Sequence, residues 1–316
     1  MATMRSDVLG GIGNTPLVEL RRIVPAGSAR VVAKLEWANP TGSMKDRMAL
    51  AAIESAEASG SLAPGGTVVE YTGGSTGVSL ALVCAAKGYP IEIVSSDAFS
   101  SEKLRAMRAF GARLTEVKSD QKRITKELIQ EMIRTAAEIA SRPGHWYCDQ
   151  LNNHDSVAGY LPLGEEIWRQ TGGKVGAFVQ SVGTSHSIHG VTHALWEHDR
   201  GVRIVAVEPA ESAVLSGHAP GAHKIEGIGI GFVPPLWDPS LVTEITTVRT
   251  ADAKAMARRL AREEGIFTGT SSGANVVAAL RVARELGAGA TVATLMIDSG
   301  VRYLSTDLYA DTAAGE

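Results

Sequence analysis

The stretch ANPTGSMKDRMAL, residues 38–50, sets a lysine where a surface lysine has little reason to stand. Pro40, Thr41 and Gly42 lead from an extended segment through a tight turn into an apolar-patterned run, and Ser43 precedes Asp46 at the spacing of a capping box. Lys45 is thereby predicted in the first helical turn, at the positive end of the helix dipole, which favours anions. The ammonium form is disfavoured there, so the side chain can be a neutral amine, the form a carbonyl-trapping nucleophile requires. Three further runs are rich in Gly, Ser and Thr and sit where strands are expected to give way to helices. They are Thr72-Gly73-Gly74-Ser75-Thr76-Gly77, Gly183-Thr184-Ser185-His186-Ser187 and Gly269-Thr270-Ser271-Ser272-Gly273. Unpaired backbone N–H groups at such junctions point at an anion. Each run alone is ordinary turn composition. Together with Lys45 they offer one nest for a cofactor phosphate, a second for a substrate carboxylate, and a hydroxyl for a ring nitrogen. Those are the demands of pyridoxal phosphate acting on an amino acid.

The elements that must position these residues alternate between strand and helix. TVVEYT precedes a helix beginning near Thr76, IEIVSS precedes SSEKLRAMRAFG, and ARLTEV precedes a long helix whose Ile124, Leu128, Met132 and Ile139 keep helical spacing. Farther on, VGAFVQSVG, VRIVAVEP, GIFTGT and VATLMID repeat the strand pattern with helices mostly between them. This is the pattern of βαβ units and parallel sheets. The polar stretch SRPGHWYCDQLNNHDS is the natural seam between a smaller N-terminal layer and a larger C-terminal one.

Bulk properties fit that reading. The 316 residues suffice for two ordinary domains. A net charge of -3 with 21% charged residues gives no electrostatic basis for nucleic-acid or membrane-surface binding, so the expected partner is small. Cys84 and Cys148 lie far apart without a CxxC spacing, the N-terminus lacks an apolar signal segment, and VSLALVCAAKGYPIEIV is interrupted too early for a membrane span. A cytoplasmic location is expected.

Motifs along nearly the whole chain carry a resemblance: IGNTPLVEL at 12–20, AKLEWANPTGSMKDR at 33–47, VVEYTGGSTG at 68–77 and DQLNN at 149–153. They continue through VEPAESAVLSG at 207–217, GAHKIEGIGIGFVP at 221–234, EEGIFTGTSSGAN at 263–275 and DSGVRYLST at 298–306. The chain resembles the cysteine synthase and cystathionine β-synthase family of fold-type II pyridoxal-phosphate enzymes. The resemblance implies an α/β protein of two αβα layers with largely parallel twisted sheets and the cofactor in the cleft between them. It implies a smaller domain at 39–148, with a mobile subdomain near 91–134, and a larger one from 1–38 plus 149–316. By the same resemblance Lys45 matches the lysine that joins the cofactor. Gly183, Thr184, Ser185, His186 and Ser187 match the phosphate loop, Ser271 the serine at the pyridine nitrogen, and Ser75 a position that reaches the ring oxygen. Thr72, Gly73, Gly74, Thr76 and Gln150 match the substrate-carboxylate site, and Gly227, Ile228 and Gly229 the loop facing the amino acid. The implied reaction replaces the acetate of O-acetylserine with sulfide, Lys45 moving the α-proton. A homodimer and a serine acetyltransferase partner are implied by family analogy, without a metal.

Two departures from the family pattern stand out. TGGST replaces TSGNT, so Ser75 stands where an asparagine is usual, and Ser185 with His186 replaces glycines of the phosphate loop. They read either as neutral variants or as a pocket remodelled for another nucleophile or leaving group, as in a cystathionine β-synthase-like or specialised biosynthetic enzyme. A non-catalytic ligand- or partner-binding homologue is the reading of another class, and Lys45 argues against it. His186, His189 and His193 share helical spacing but lack a visible fourth metal ligand and are expected as surface helix histidines. Glu208 ends a strand like a ribose-binding acid, yet no GxGxxG opens the preceding helix.

Overall fold

The computed structural model describes residues 6–121 and 125–310. In chain order its elements are β1 (Leu17–Leu20), β2 (Arg30–Leu35), α1 (Lys45–Ser59), β3 (Thr67–Tyr71), α2 (Ser75–Lys87), β4 (Ile91–Ser96), α3 (Ser101–Ala109), β5 (Arg113–Val117) and α4 (Lys126–Ala140). They continue with β6 (His145–Tyr147), α5 (Leu161–Gln170), β7 (Ala177–Ser181), α6 (His186–His198), β8 (Arg203–Pro209), β9 (Glu244–Val248), α7 (Thr250–Arg259), α8 (Thr270–Leu286) and β10 (Thr291–Met296). They fall into two compact units, Met1–Gly13 with Asn39–Gly159 and Asn14–Ala38 with Tyr160–Glu316.

The first unit is built on a four-stranded parallel sheet in the order β5-β4-β3-β6. Every residue of β4 is buried, which is why IEIVSS reads as a continuous run with no alternation: both faces of the strand are covered by helices. α1 and α2 end on Gly60 and Gly88 at φ +76° and +81°, the left-handed closure that glycine makes without strain. Thr125 caps α4 by accepting the Leu128 N–H at 3.2 Å. Leu128, Met132, Ala136 and Ile139 bury one stripe of that helix. Ile124 lies outside the described residues.

The second unit carries a six-stranded sheet in the order β1-β2-β10-β7-β8-β9, parallel except for β1 against β2. Its core sets Val179, Val205, Val207 and Val292 of the central strands against Ala274, Ala278, Val282 and other apolar residues of α8. Asn275 ties these layers together, accepting the Ser181 N–H at 2.7 Å and donating to Leu295 O at 2.9 Å.

Four strands were not visible in the sequence pattern: β1, β2, β6 and β9. The stretch read as a seam, residues 141–156, carries β6, whose three residues pair with Thr67, Val68 and Val69 of β3. GIFTGT is not a strand. Gly265 closes the preceding helical turn at φ +70°, and beyond it Thr268 makes a single bridge to Ser299. The Thr268 hydroxyl, bonded to Ser272 Oγ at 2.6 Å and to Asp298 O at 2.9 Å, replaces the ladder that the pattern suggested.

Candidate active site

In the first unit Lys45 is the first residue of α1, as the sequence predicts, but the cap differs. No capping box forms. Met44 occupies the N-cap position without a side-chain bond, and Ser43 Oγ accepts the Lys45 N–H at 3.3 Å. Asp46 is drawn away instead. Its carboxylate accepts Thr41 N at 2.8 Å, Thr41 Oγ1 at 2.5 Å and Ser79 Oγ at 2.6 Å, and the residue is fully buried. Asp46 therefore fixes both the turn before Lys45 and the packing of α1 on α2. Sequence reasoning missed this role because it assigned the carboxylate to a cap. Burial lowers the Lys45 amine from its ordinary 10.5 to about 8.

The run from Thr72 to Thr76 joins the end of β3 to α2, which begins at Ser75. Thr72 is pinned by Ser95 Oγ donating to its carbonyl at 2.8 Å, and its own Oγ1 accepts the Gly74 N–H at 3.0 Å. Thr76 Oγ1 donates to Gln150 Oε1 at 2.8 Å, and Gln150 Nε2 donates to Tyr71 O at 3.0 Å. An amide has two N–H donors, and this arrangement engages one of them with the backbone. Thr72, Thr76 and Gln150 thus converge at the N-terminus of α2, where first-turn N–H groups lack intrahelical acceptors. Behind them Glu70 accepts the Gln150 N–H at 3.1 Å and the Tyr71 N–H at 3.0 Å. Burial outweighs these donors and pushes its carboxyl up to about 8.

In the second unit the run Gly183–Ser187 joins β7 to α6. A β-carbon on Gly183 would lie 2.4 Å from Gly227 O, so the two loops touch backbone to backbone. Gly229 N donates to Val182 O at 3.3 Å, and Glu226 N donates to Thr270 Oγ1 at 3.1 Å. The phosphate-loop match, the loop Gly227–Gly229 and the first turn of α8, with Ser271, are thereby brought together in one unit. Ile228 turns into the core at 5% exposure. Ser185 takes the left-handed conformation, φ +74°, at the N-cap of α6. That position favours glycine, so the serine carries backbone strain. His186 is not a surface residue: it is fully buried, its Nδ1 2.8 Å from Thr184 Oγ1, because the first turn of α6 faces the loops. His189 and His193 meet edge to face at 5.9 Å, and no metal-holding cluster occurs among the described residues. Glu208 serves its own loop, accepting Leu215 N at 2.8 Å and Ser216 N at 3.0 Å.

The sequence profile of the pyridoxal-phosphate dependent enzymes matches residues 8–298. The chain belongs to this family. It is 42% identical over 300 residues to a cysteine synthase of Staphylococcus aureus, covering 94% of this chain and 95% of the relative. The crystal structure of cysteine synthase from Entamoeba histolytica matches it with a TM-score of 0.91 at 37% identity, over 99% of this chain and 93% of that one. The structure of an O-ureido-L-serine synthase matches with a TM-score of 0.92 at 35% identity, over 99% of this chain and 98% of that one. The fold is that of the fold-type II pyridoxal-phosphate enzymes and the cofactor is pyridoxal phosphate. The residues suit that cofactor. Ser185 Oγ is buried without a partner among the described residues, at the first turn of a helix, which is where a phosphate oxygen is welcome. In the other unit, Lys45 carries an amine whose pKa burial lowers to about 8, the chemistry an aldehyde cofactor calls for. Among the described residues no helix is long and apolar enough to cross a membrane.

Proposed function

We propose that the chain is a β-replacement enzyme that converts O-acetyl-L-serine and sulfide to L-cysteine and acetate. The observation that carries this reading is the likeness to cysteine synthases over nearly the whole chain. The geometry supports it with a depressed amine at Lys45 and a carboxylate nest at the N-terminus of α2. Bound pyridoxal phosphate supplies covalent attachment of the amino acid and an electron sink for its α-carbon. Thr184, Ser185 and Ser187, with the first-turn N–H groups of α6, would hold the phosphate, and the Ser271 hydroxyl would serve the pyridine nitrogen. A neutral hydroxyl there would leave that nitrogen largely unprotonated, which suits elimination from Cβ. Thr72, Thr76 and Gln150 bind the substrate carboxylate and so orient the Cα–H bond. Lys45, with its amine free, would take the α-proton as general base while acetate leaves Cβ. It returns the proton to Cα after sulfide has added to Cβ. The segment 91–134 is assigned to closing over the bound carboxylate, excluding water from the reacting carbons. We further assign the enzyme to the cytoplasm as a homodimer, with serine acetyltransferase as a partner by family analogy. Both cysteines are buried and free, in keeping with a reducing compartment.

A second reading keeps the first half of the reaction and changes the nucleophile. The presence of Ser75 and His186 in the two loops, and the likeness to an O-ureido-L-serine synthase, favour testing it. The deciding experiment is a titration of purified holoenzyme with O-acetylserine, O-phosphoserine and serine, followed by a panel of nucleophiles. Cysteine formed fastest from O-acetylserine and sulfide is the expected result. Faster turnover with another nucleophile selects the second reading, and cofactor binding without any turnover would leave a non-catalytic homologue.

A further inference from the structure

The segment that follows β4 lies against the carboxylate loop through two side chains. A β-carbon on Gly73 would fall 2.2 Å from the ring of Phe99, so that ring occupies the space a serine at position 73 would need. A β-carbon on Gly74 would lie 3.1 Å from Lys103 Cδ and 3.4 Å from Lys103 Nζ. The alkyl chain of Lys103 therefore crosses the face of Gly74, with its ammonium beside the loop. Lys103 is only 7% exposed, although most lysines keep their heads in water. Its backbone is set by Ser100, the N-cap of α3, whose Oγ accepts the Lys103 N–H at 3.5 Å. Phe99 and Lys103 thus flank that cap and present ring and ammonium to the two consecutive glycines.

The chemistry of the loop gives the ammonium a task. Gly73 and Gly74 contribute no side-chain donor, whereas a TSGNT loop carries a serine hydroxyl at the first of these positions. An anion seated on this loop would find in Lys103 a charge-assisted donor, stronger than the hydroxyl that is absent. We propose that Lys103 binds the α-carboxylate of the amino-acid substrate, taking the place of the loop serine that Gly73 lacks. This rests on the reading of Thr72–Thr76 as the substrate-carboxylate site. Phe99 is the reason the replacement is needed, because its ring excludes a side chain at 73. The glycine pair, the ring and the lysine form one arrangement in which the donor comes from α3 instead of from the loop itself.

The test compares wild-type holoenzyme with Lys103→Met, which keeps an apolar stem over Gly74 and removes the charge, and with Lys103→Arg, which keeps it. Binding of L-serine and L-serinamide is measured by calorimetry, alongside the KM and kcat for O-acetylserine. In Lys103→Met the KM is expected to rise about tenfold or more with kcat within about twofold, and the preference for serine over serinamide to shrink by a similar factor. Lys103→Arg is expected to restore most of that preference. An unchanged serine-to-serinamide ratio in Lys103→Met overturns the proposal, as does a loss confined to O-phosphoserine, which would assign the ammonium to a leaving group. Should Lys103→Met not fold, Lys103→Gln carries the same comparison. If the wild type binds cofactor and serine but forms no cysteine, the function proposed above falls while the carboxylate-to-amide ratio still decides the role of Lys103.

Discussion

Gly183→Ala isolates the backbone contact between the phosphate-loop match and the loop Gly227–Gly229, proposed to face the amino acid. The added β-carbon would stand 2.4 Å from Gly227 O, 0.6 Å inside the 3.0 Å floor that real β-carbons respect. The neighbour is a carbonyl, not the flexible end of a side chain, so the two loops must separate by at least that amount. Gly183 itself is not in the left-handed region, which leaves the clash as the only consequence of the methyl group. Overpacking of this size costs about 1–3 kcal/mol of stability. A displacement approaching 1 Å at a reacting centre costs about 10²-fold in rate, so kcat/KM is expected to fall roughly 10- to 100-fold. Gly176→Ala is the control, since its β-carbon would make only ordinary contacts at 3.5 and 3.6 Å. Steady-state kinetics with O-acetylserine and sulfide and urea melts measure the two effects, and cofactor retention on gel filtration checks that the site still holds its cofactor. A Gly183→Ala enzyme with wild-type kcat/KM and full cofactor retention would refute the claim that this contact sets the geometry of the site.

Lys45→Ala is expected to keep the fold but lose the visible absorbance of lysine-linked cofactor and multiple turnover; an undiminished steady-state rate counts against the assignment. The reactivity of Lys45 in cofactor-stripped protein toward an aldehyde reagent should rise with pH and level off above about 8, where the neutral amine predominates, and a climb continuing toward 10.5 would show that burial does not depress it. Glu70, raised to about 8 in the folded state from 4.5, keeps its proton there while the unfolded chain has lost it, so stability should fall with rising pH between those values by up to roughly 1.4 kcal/mol per unit. Glu70→Gln should remove that slope, as followed by urea melts across the range. O-acetylserine should outpace O-phosphoserine, because Glu226-Gly227-Ile228-Gly229-Ile230 offers no cation to a phosphate leaving group. Finally, Ser75→Asn should raise the ratio of sulfide use to bulky-nucleophile use if the shorter Ser75 leaves room for a larger nucleophile, and an unchanged ratio marks the serine as neutral.

The parts of the fold that sequence periodicity revealed are those buried on both faces or striped on one. β3, β4, β7, β8 and β10 announced themselves as apolar runs, and α4 as an i, i+4 stripe. β6 and β1 did not, because three half-buried residues in one and a mixed run of four in the other, both at a sheet edge, make no pattern. GIFTGT misled for the opposite reason: its composition is strand-like, but a hydroxyl network among Thr268, Ser272 and Asp298 holds it. At the site, helix starts were legible because Gly, Ser and Thr mark them, so Lys45, Ser75 and Ser271 fall in first turns. The role of Asp46 was hidden because a carboxylate at the fourth position of a box looks like a cap whether or not it bonds as one. His186 was misjudged at the surface because spacing alone does not say which face a helix buries. Lys103 was invisible as well: its nearness to Gly74 comes from the packing of α3, thirty residues on, and no local signal encodes it.

The position of β10 between β2 and β7 governs when this protein becomes whole during synthesis. Arg30 of β2 pairs with Thr291 of β10, so the hairpin of β1 and β2 leaves the ribosome long before the strand it needs. The strands β7, β8 and β9 are also complete before β10 and expose an unfilled edge at β7. The first unit's sheet, by contrast, closes within residues 67–147 and can settle while translation continues. Only when the final strand emerges do the two waiting fragments become one sheet, and until then each carries an open edge that invites intermolecular pairing. A ribosome stalled shortly before codon 291 would therefore present a finished first unit attached to two sticky half-sheets, a nascent chain for chaperones to guard.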